Sequence, residues 1–350
     1  MLDALVGWAW GASRVARTTD GVRSLTDVTP PGVGGDHQMF SVAAVDGRHA
    51  WVVAGNPSGA GSVTVEATGD GGETWIQSQR QGQAGGASIT FLDSQHGWLT
   101  VSRVINDGTM LDETLMRTVD GGRNWSAIFH TARRLPIQPG VQVGDCGWSR
   151  VSFVTPSLGY AGLACDGDTL PQVDVSHDGG LSWARQTLPV LPRPAGILMS
   201  SGVESLRFVS PENGITFVWN CVGDGQSCTY YGALYRTGDG GRTWSVGSVV
   251  RGAGAILLDM THSWVPYGCV GACSIGLGST LLTTDDGGIR WTAAPLPDEL
   301  GPNMHASRNF VLVAPTVGFV LATQASGSQT RFFRTTDGGR TFTAFVPRFR

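Results

Sequence analysis

Lysine is absent from the 350-residue chain: all 24 basic positions are arginine, set against 28 acidic ones for a formal net charge of −4. Without a surplus of positive charge there is no basic stripe to track a phosphate backbone, which excludes nucleic acid as a partner. No apolar run reaches the roughly 18 residues a membrane-spanning helix needs. The amino terminus carries no signal-peptide pattern, because Asp3, Trp8 and Trp10 interrupt what would be a charged start and an apolar core. Catalytic signatures are missing as well: there is no HExxH, no Ser/His/Asp order and no glycine-rich phosphate loop leading into a helix. His37, His49, His96, His130, His177, His262 and His305 are scattered without metal-ligand spacing, so neither a metal nor a cofactor is expected.

What is abundant is glycine, with 51 residues, beside 12 tryptophans, a combination suited to short strands and tight turns. Many of these residues fall in one repeated motif. It reads Thr68-Gly-Asp70-Gly-Gly72-Glu-Thr74-Trp75, Thr118 to Trp125, Ser176 to Trp183, Thr237 to Trp244, Thr284 to Trp291 and Thr335 to Phe342, with a degenerate copy from Thr18 to Leu25. Its aspartates, Asp20, Asp70, Asp120, Asp178, Asp239, Asp286 and Asp337, stand 50, 50, 58, 61, 47 and 51 residues apart, the size of a four-stranded propeller blade. Each aspartate can accept hydrogen bonds from the N–H groups of its own turn, and the paired glycines supply the positive φ that closes a hairpin. Trp75, Trp125, Trp183, Trp244, Trp291 and Phe342 then open the next strand as apolar plugs between blades.

Upstream of the turns, Phe40 to Ala44, Ile89 to Leu92, Val151 to Val154, Leu206 to Val209 and Phe310 to Val313 read as a first strand (A). A second strand (B) opens on glycine and a large residue, as in Gly97-Trp98, Gly159-Tyr160, Gly214-Ile215 and Gly318-Phe319. Each repeat is therefore strand A, turn, strand B, variable loop, strand C, Asp-box turn, strand D. The chain thus resembles the Asp-box, or BNR, repeat propellers. The segment from Ile89 to Val101 is most similar to the photosystem II assembly-factor type within the sialidase-like and sortilin-like group. The implied fold is all-β: a seven-bladed propeller of four-stranded antiparallel blades in one domain, with blades near 1–30, 36–80, 86–130, 141–190, 200–248, 252–296 and 303–350. Met1 to Gly11 matches strand B, so the first blade lacks strand A. The C-terminus ends on strand D and does not replace it. Loss of upstream residues would account for both the missing strand and the missing signal sequence.

The A–B and Asp-box turns share one rim and are structural. Length variation is confined to the other rim, in segments such as Arg103 to Glu113, Leu188 to Glu204 and Asn220 to Tyr230. Loops of differing length on a rigid scaffold are where binding residues sit. Trp148, Arg150, Tyr230, Tyr231, His305 and Arg308 are its candidate binding residues. Six cysteines formally allow 15 connectivities. The simplest is three local disulfides, Cys146–Cys165, Cys221–Cys228 and Cys269–Cys273, each flanking one hairpin or loop. Disulfides place the mature protein outside the cytoplasm.

A sialidase would need an arginine cluster and a Tyr/Glu pair that the chain does not display, and Tyr230 and Tyr231 are the sole tyrosine pair on a rim loop. A glycosidase needs two carboxylates about 5 to 9.5 Å apart. Asp36, Asp145, Asp166, Asp168, Glu204 and Asp298 are the rim carboxylates, and the sequence does not pair them. The leading expectation is a non-catalytic, extracytoplasmic, monomeric propeller that binds a protein or glycan partner. The alternative is a glycoside hydrolase, sialidase-like or xyloglucanase-like, using a rim carboxylate pair.

Overall fold

The computed structural model describes residues 1–11, 13–34, 37–56, 63–80, 86–105, 110–134, 146–166, 170–192, 194–225, 227–266, 280–297, 310–323 and 330–350. These residues form strands and turns, with no helix among them. The strands are β1 (Gly7–Trp10), β2 (Val15–Thr18) and β3 (Ser24–Asp27); β4 (Gln38–Ala44), β5 (Ala50–Gly55), β6 (Val63–Thr68) and β7 (Ile76–Arg80); and β8 (Gly86–Phe91), β9 (Gly97–Ile105), β10 (Met110–Thr118) and β11 (Ser126–Arg134). Next come β12 (Cys146–Phe153), β13 (Gly159–Asp166), β14 (Gln172–Ser176) and β15 (Ala184–Thr187), then β16 (Ile197–Phe208), β17 (Gly214–Gly223), β18 (Cys228–Thr237), β19 (Ser245–Val246) and β20 (Val250–Arg251). The last are β21 (Ile256–Leu257), β22 (Ser263–Pro266), β23 (Thr280–Thr284) and β24 (Thr292–Pro295), followed by β25 (Phe310–Leu312), β26 (Gly318–Thr323), β27 (Thr330–Thr335), β28 (Thr343–Phe345) and β29 (Arg348–Phe349).

Five sheets have four strands, and β12 to β20 form one nine-stranded sheet. Within that larger sheet β12–β15 and β16–β19 are each an antiparallel meander, joined where the end of β13 pairs with the start of β16. The opening strands of successive sheets touch in the order β4, β8, β12, β16, β21, β25, so they stand around a common axis. This is a propeller-like arrangement.

Burial between neighbouring sheets explains the strand B signal. Trp51, Trp98 and Tyr160 are fully buried and stack on Phe91, Phe153 and Phe208 of the following sheet or meander, with ring centroids 3.5, 3.6 and 3.7 Å apart. Their polar tips donate to the first glycine carbonyl of the next Asp-box: Trp51 Nε1 to Gly121 at 2.8 Å, Trp98 Nε1 to Gly179 at 3.0 Å and Tyr160 OH to Gly240 at 3.1 Å. One side chain thus fills the gap between sheets and fixes their register, so these residues are the principal plugs. The motif tryptophans sit further out. Trp125 meets Phe91 edge-on and donates to its own Gly122 carbonyl, and Trp183 and Trp244 repeat the pattern with Gly180 and Gly241.

The Asp-box bonds form as their residue types require. Asp70 Oδ1 accepts from Thr68 Oγ1 and from the Thr74 N–H, and the Gly72 N–H donates to Thr68 Oγ1. Asp20, Asp120, Asp178, Asp239, Asp286 and Asp337 make the equivalent bonds. The A–B turn beside each box completes it: the N–H groups of Gly21, Gly71, Gly121, Gly179, Gly240, Gly287 and Gly338 donate to the carbonyls of Leu5, Arg48, Gln95, Ser157, Glu212, Thr261 and Thr316. Both turn types therefore lie on one rim.

The first sheet departs from the others at both edges. Residues 2–6 make an A–B turn, with Asp3 Oδ1 accepting the Leu5 and Val6 N–H groups as Asp46 accepts those of Arg48 and His49. Among the described residues only β2 pairs with β1. On the outer edge, the chain runs on past strand D at β28, and β29 adds to β3 in parallel, with Arg348 and Arg350 N–H groups donating to the Arg23 and Leu25 carbonyls. The C-terminus therefore does not end at strand D, but neither does it occupy the strand A position.

Hydrogen bonding at the Asp-boxes has a pH signature. The carboxyls of Asp20, Asp178, Asp239 and Asp337 are lowered from 3.8 to about 2, chiefly by the hydroxyl four residues on and then by that residue's N–H. For Asp286 the Arg290 N–H is the main cause, and it too falls to about 2. Folded values below unfolded ones mean that the stability these carboxylates add is complete above about pH 4 and is lost as pH falls through about 2. Denaturant midpoints are expected to hold from pH 6 to 4 and drop between pH 4 and 2; a flat profile across that window would contradict the assignment.

Candidate functional site

On the rim opposite the Asp-boxes, parts of the segments read as variable loops are strand extensions. Ile197 to Glu204 belongs to β16, Asn220 to Gly223 to β17 and Cys228 to Tyr230 to β18. Arg103 to Ile105 and Met110 to Glu113 likewise extend β9 and β10. Two disulfides brace these extensions. Cys146 faces Cys165 across β12 and β13 with Cα atoms 4.1 Å apart, and Cys221 joins Cys228 across the β17–β18 hairpin at 5.4 Å. Cys269 and Cys273 lie outside the described residues.

Beside the first disulfide is a cavity of about 330 Å³ lined by Phe129, Thr131, Cys146, Gly147, Trp148, Asp174, Trp183 and Arg185. A bulge at Ser149 shifts the β12 register just past Trp148. The Trp148 indole packs 5.2 Å from Phe129 and 5.0 Å from Trp183. At the floor Asp174, 5 % exposed, accepts from Trp148 Nε1 at 3.0 Å and from Arg185 Nε and Nη2 at 2.9 and 3.1 Å. A buried carboxylate needs such partners. Three aromatic faces around a fixed ion pair, with half-exposed Arg185 at the opening, offer both stacking surface and polar edges.

A second hollow, about 310 Å³, lies on the opening strands β12, β16 and β21 and is lined by Arg150, Glu204, Ser205, Leu206, Arg207 and Ala255 to Leu257. Arg150 Nε donates to the Glu204 carbonyl at 3.2 Å, and Ser205 Oγ to that of Ala255 at 2.6 Å. Arg150 and Glu204 are thus brought together, whereas Trp148 belongs to the neighbouring cavity. Tyr230 and Tyr231 stand apart on β18. Tyr230 is 41 % exposed and edge-on to Trp219, and Tyr231 lies under the Arg251 guanidinium, 5.5 Å from its ring. Asp36, Asp145, Asp168, Asp298, His305 and Arg308 lie outside the described residues, as does the side chain of Asp166.

Glu66, Asp112 and Glu113 are also buried carboxyls, and the first two have partners that sequence alone did not reveal. Asp112 on β10 holds Arg103 Nε at 2.7 Å and is hydrogen-bonded to His130 Nε2. Burial raises its pKa, but these two partners outweigh burial and leave it below the ordinary value. Glu66 on β6 is 2 % exposed and accepts from Gln77 Nε2 at 2.7 Å; here burial dominates and the pKa is raised. The legible signal was a charged residue in a strand C whose neighbours are apolar. Glu66 and Asp174 both stand four residues before their Asp-box aspartates, at Val-Thr-Val-Glu66 and Gln-Val-Asp174-Val. Among the described residues no group of carboxylates, histidines and cysteines has the arrangement of a metal site.

No family model matches the chain, and no curated protein sequence matches it. Solved structures do. An α-L-arabinofuranosidase of glycoside hydrolase family 93 from Fusarium graminearum, in complex with arabinobiose, superposes with a TM-score of 0.52 at 11% identity, covering 90% of this chain and 95% of that one. An ulvan lyase of polysaccharide lyase family 25 superposes with a TM-score of 0.56 at 10% identity, covering 98% of this chain and 85% of that one. At these identities the likeness is one of fold: this chain shares the architecture of those two proteins.

Proposed function

We propose that this chain is a seven-bladed Asp-box propeller that acts outside the cytoplasm and engages a carbohydrate on the rim opposite its Asp-boxes. Seven blades follow if the nine-stranded sheet counts as two meanders. Seven interfaces then follow in a cycle, the last packing Val22 and Leu25 of the first sheet against Phe319 of the seventh. The disulfides support an oxidising compartment. The observation that carries the carbohydrate reading is the Trp148 cavity, where aromatic faces and a fixed Asp174–Arg185 pair meet at one opening. Sugars present apolar faces and rows of hydroxyls, and such a mixed lining matches both. The fold likeness to an arabinofuranosidase and an ulvan lyase favours a glycan over a protein partner. It also favours the catalytic alternative, glycoside hydrolysis through a rim carboxylate pair.

A glycan array probed with the purified chain, followed by reducing-sugar release from the polysaccharides that bind, tests both readings. Binding is expected, and Trp148→Ala is expected to weaken it about tenfold or more, in the range of one lost base- or sugar-sized stacking contact. Release of reducing ends without the ultraviolet absorbance of an unsaturated sugar would establish the hydrolase reading, release with that absorbance would make the cleavage eliminative and contradict it, and binding without release would support the non-catalytic one. A blank array would overturn the carbohydrate assignment.

A further inference from the structure

On the Asp-box rim, between the sheets β21–β24 and β25–β28, a cavity of about 200 Å³ has Trp264, Thr283, Asp285, Asp337, Gly338 and Arg340 in its lining. The rest of the molecule shows what fills such a space. Three residues before the Asp-box aspartate, strand C carries an arginine at Arg17, Arg117, Arg236 and Arg334. The first three reach the next sheet and lie against the first glycine of its Asp-box: a Cβ on Gly71, Gly179 or Gly287 would stand 2.6 Å from Nη1 of Arg17, Arg117 or Arg236. Arg117 and Arg334 lie 5.9 and 5.7 Å over the rings of Trp98 and Phe319, their cross-strand partners on strand B. Arg236 Nη1 donates to the Asp286 carbonyl at 3.0 Å. A strand B ring and an Asp-box carbonyl are thus the chain's own means of holding a guanidinium.

The cavity offers both without the arginine. Thr283 occupies the arginine's place and pairs across the strands with Trp264, as Arg117 does with Trp98. Gly338 stands where Gly71, Gly179 and Gly287 do, and the nearest atom to a Cβ on it is the Pro315 carbonyl oxygen, at 3.3 Å. Ala67 and Val175 also replace the arginine, but there Arg123 and Arg242, from inside the following box, donate to the Asp120 and Asp239 carbonyls at 3.2 and 3.1 Å. Arg340 makes the same bond to the Asp337 carbonyl at 3.4 Å, and the space beside it is the cavity. Asp285 and Arg340 are both exposed at its edge, so the carboxylate offsets the charge of the guanidinium.

We propose that this cavity is a socket for an arginine side chain of a polypeptide partner, which docks on the rim opposite the glycan face. The incoming guanidinium lies over Trp264, donates to the Asp337 carbonyl and faces Asp285, completing between these two sheets the contact that Arg17, Arg117 and Arg236 make elsewhere. Lysine fits less well, because its ammonium is more strongly hydrated and has no plane to lay on an indole. Asp285 disfavours the α-carboxylate of free arginine, a charge that an arginine inside a peptide lacks.

Calorimetric titration of the full chain with acetyl-Gly-Arg-Gly-amide, with its citrulline and lysine counterparts and with free arginine tests it, and the Gly338 amide resonance of the ¹⁵N-labelled chain reports the place. The arginine peptide is expected to bind and to shift Gly338, and the other three ligands to bind at least about tenfold more weakly, the scale of one charged contact. Asp285→Asn is expected to weaken the arginine peptide about two- to fivefold and Arg340→Gln to strengthen it by a similar factor. Neither is expected to change the melting temperature, since both side chains are exposed. Thr283→Arg supplies the chain's own guanidinium and is expected to abolish binding without lowering the melting temperature. The proposal is overturned by equal binding of the citrulline peptide, by binding that leaves Gly338 unmoved, by undiminished binding to Thr283→Arg, or by no binding at millimolar peptide. Free arginine binding more tightly than the peptide would make this a site for the amino acid and overturn the polypeptide partner. Each of these outcomes leaves the carbohydrate reading, which concerns the other rim, as it stands.

Discussion

Replacing Trp98 by alanine is expected to cost about 3–5 kcal/mol of stability, the usual penalty for emptying a buried aromatic site. Three losses coincide there. The side chain is 1 % exposed, stacks at 3.6 Å on Phe153 of the next sheet, and donates from Nε1 to the Gly179 carbonyl. Removing it leaves that carbonyl without the indole donor and opens a void that the stiff sheets on either side cannot close. Urea unfolding of Trp98→Ala against Trp10→Ala makes the comparison internal, because Trp10 is 51 % exposed and its loss is expected to change stability by less than about 0.5 kcal/mol. Equal effects of the two substitutions would show that the sheet-to-sheet plugs are assigned to the wrong tryptophans.

Gly72→Val is expected to be of similar size, about 2–6 kcal/mol, from two independent costs. The backbone at Gly72 has φ +91°, where a β-branched residue is strained by about 1–3 kcal/mol. A Cβ there would also stand 2.5 Å from the Val28 Cβ, and overpacking of that kind adds about 1–3 kcal/mol more. The molecule contains its own contrast. In the degenerate first box, Val22 occupies the corresponding place at φ +66°, the one non-glycine positive φ among the described residues. Its side chain is 5 % exposed and packs with Leu25 and Phe319. Burial worth about 1.5–3 kcal/mol offsets the strain, so Val22→Gly is expected to be nearly neutral. Melting curves of the two variants decide the point: a large loss from Val22→Gly together with a small one from Gly72→Val would reverse it.

What could be read from the sequence was local. The Asp-box turns depend on contacts within four residues, such as Asp70 with Thr74, so the repeated motif revealed them. Strand B showed itself through glycine followed by a large residue, because that residue fills the gap to the next sheet. The pairing of Cys146 with Cys165 followed from hairpin register. What stayed hidden depends on contacts across strands and sheets. Asp174 meets Arg185 eleven residues on and Trp148 twenty-six residues back, and only the sheet's pairing and the bulge at Ser149 bring the three together. The strand extensions at Ile197 and Asn220 are rich in polar and small residues and read as loops until the β13–β16 pairing and the Cys221–Cys228 bond organise them. The two-residue strand at Arg348 is exposed on both residues and carries no alternation that would mark it.

The rim opposite the Asp-boxes is the working face in this account, and its Trp148 cavity can be watched directly through indole N–H resonances. Titrating the ¹⁵N-labelled chain with an array-positive glycan is predicted to shift the Trp148 Nε1–H signal, whose proton is held by Asp174 at that cavity. The signals of Trp51 and Trp98, bonded to Asp-box carbonyls, are predicted to stay in place. Shifts at Trp51 and Trp98 with Trp148 unmoved would put the ligand on the Asp-box side and contradict the account.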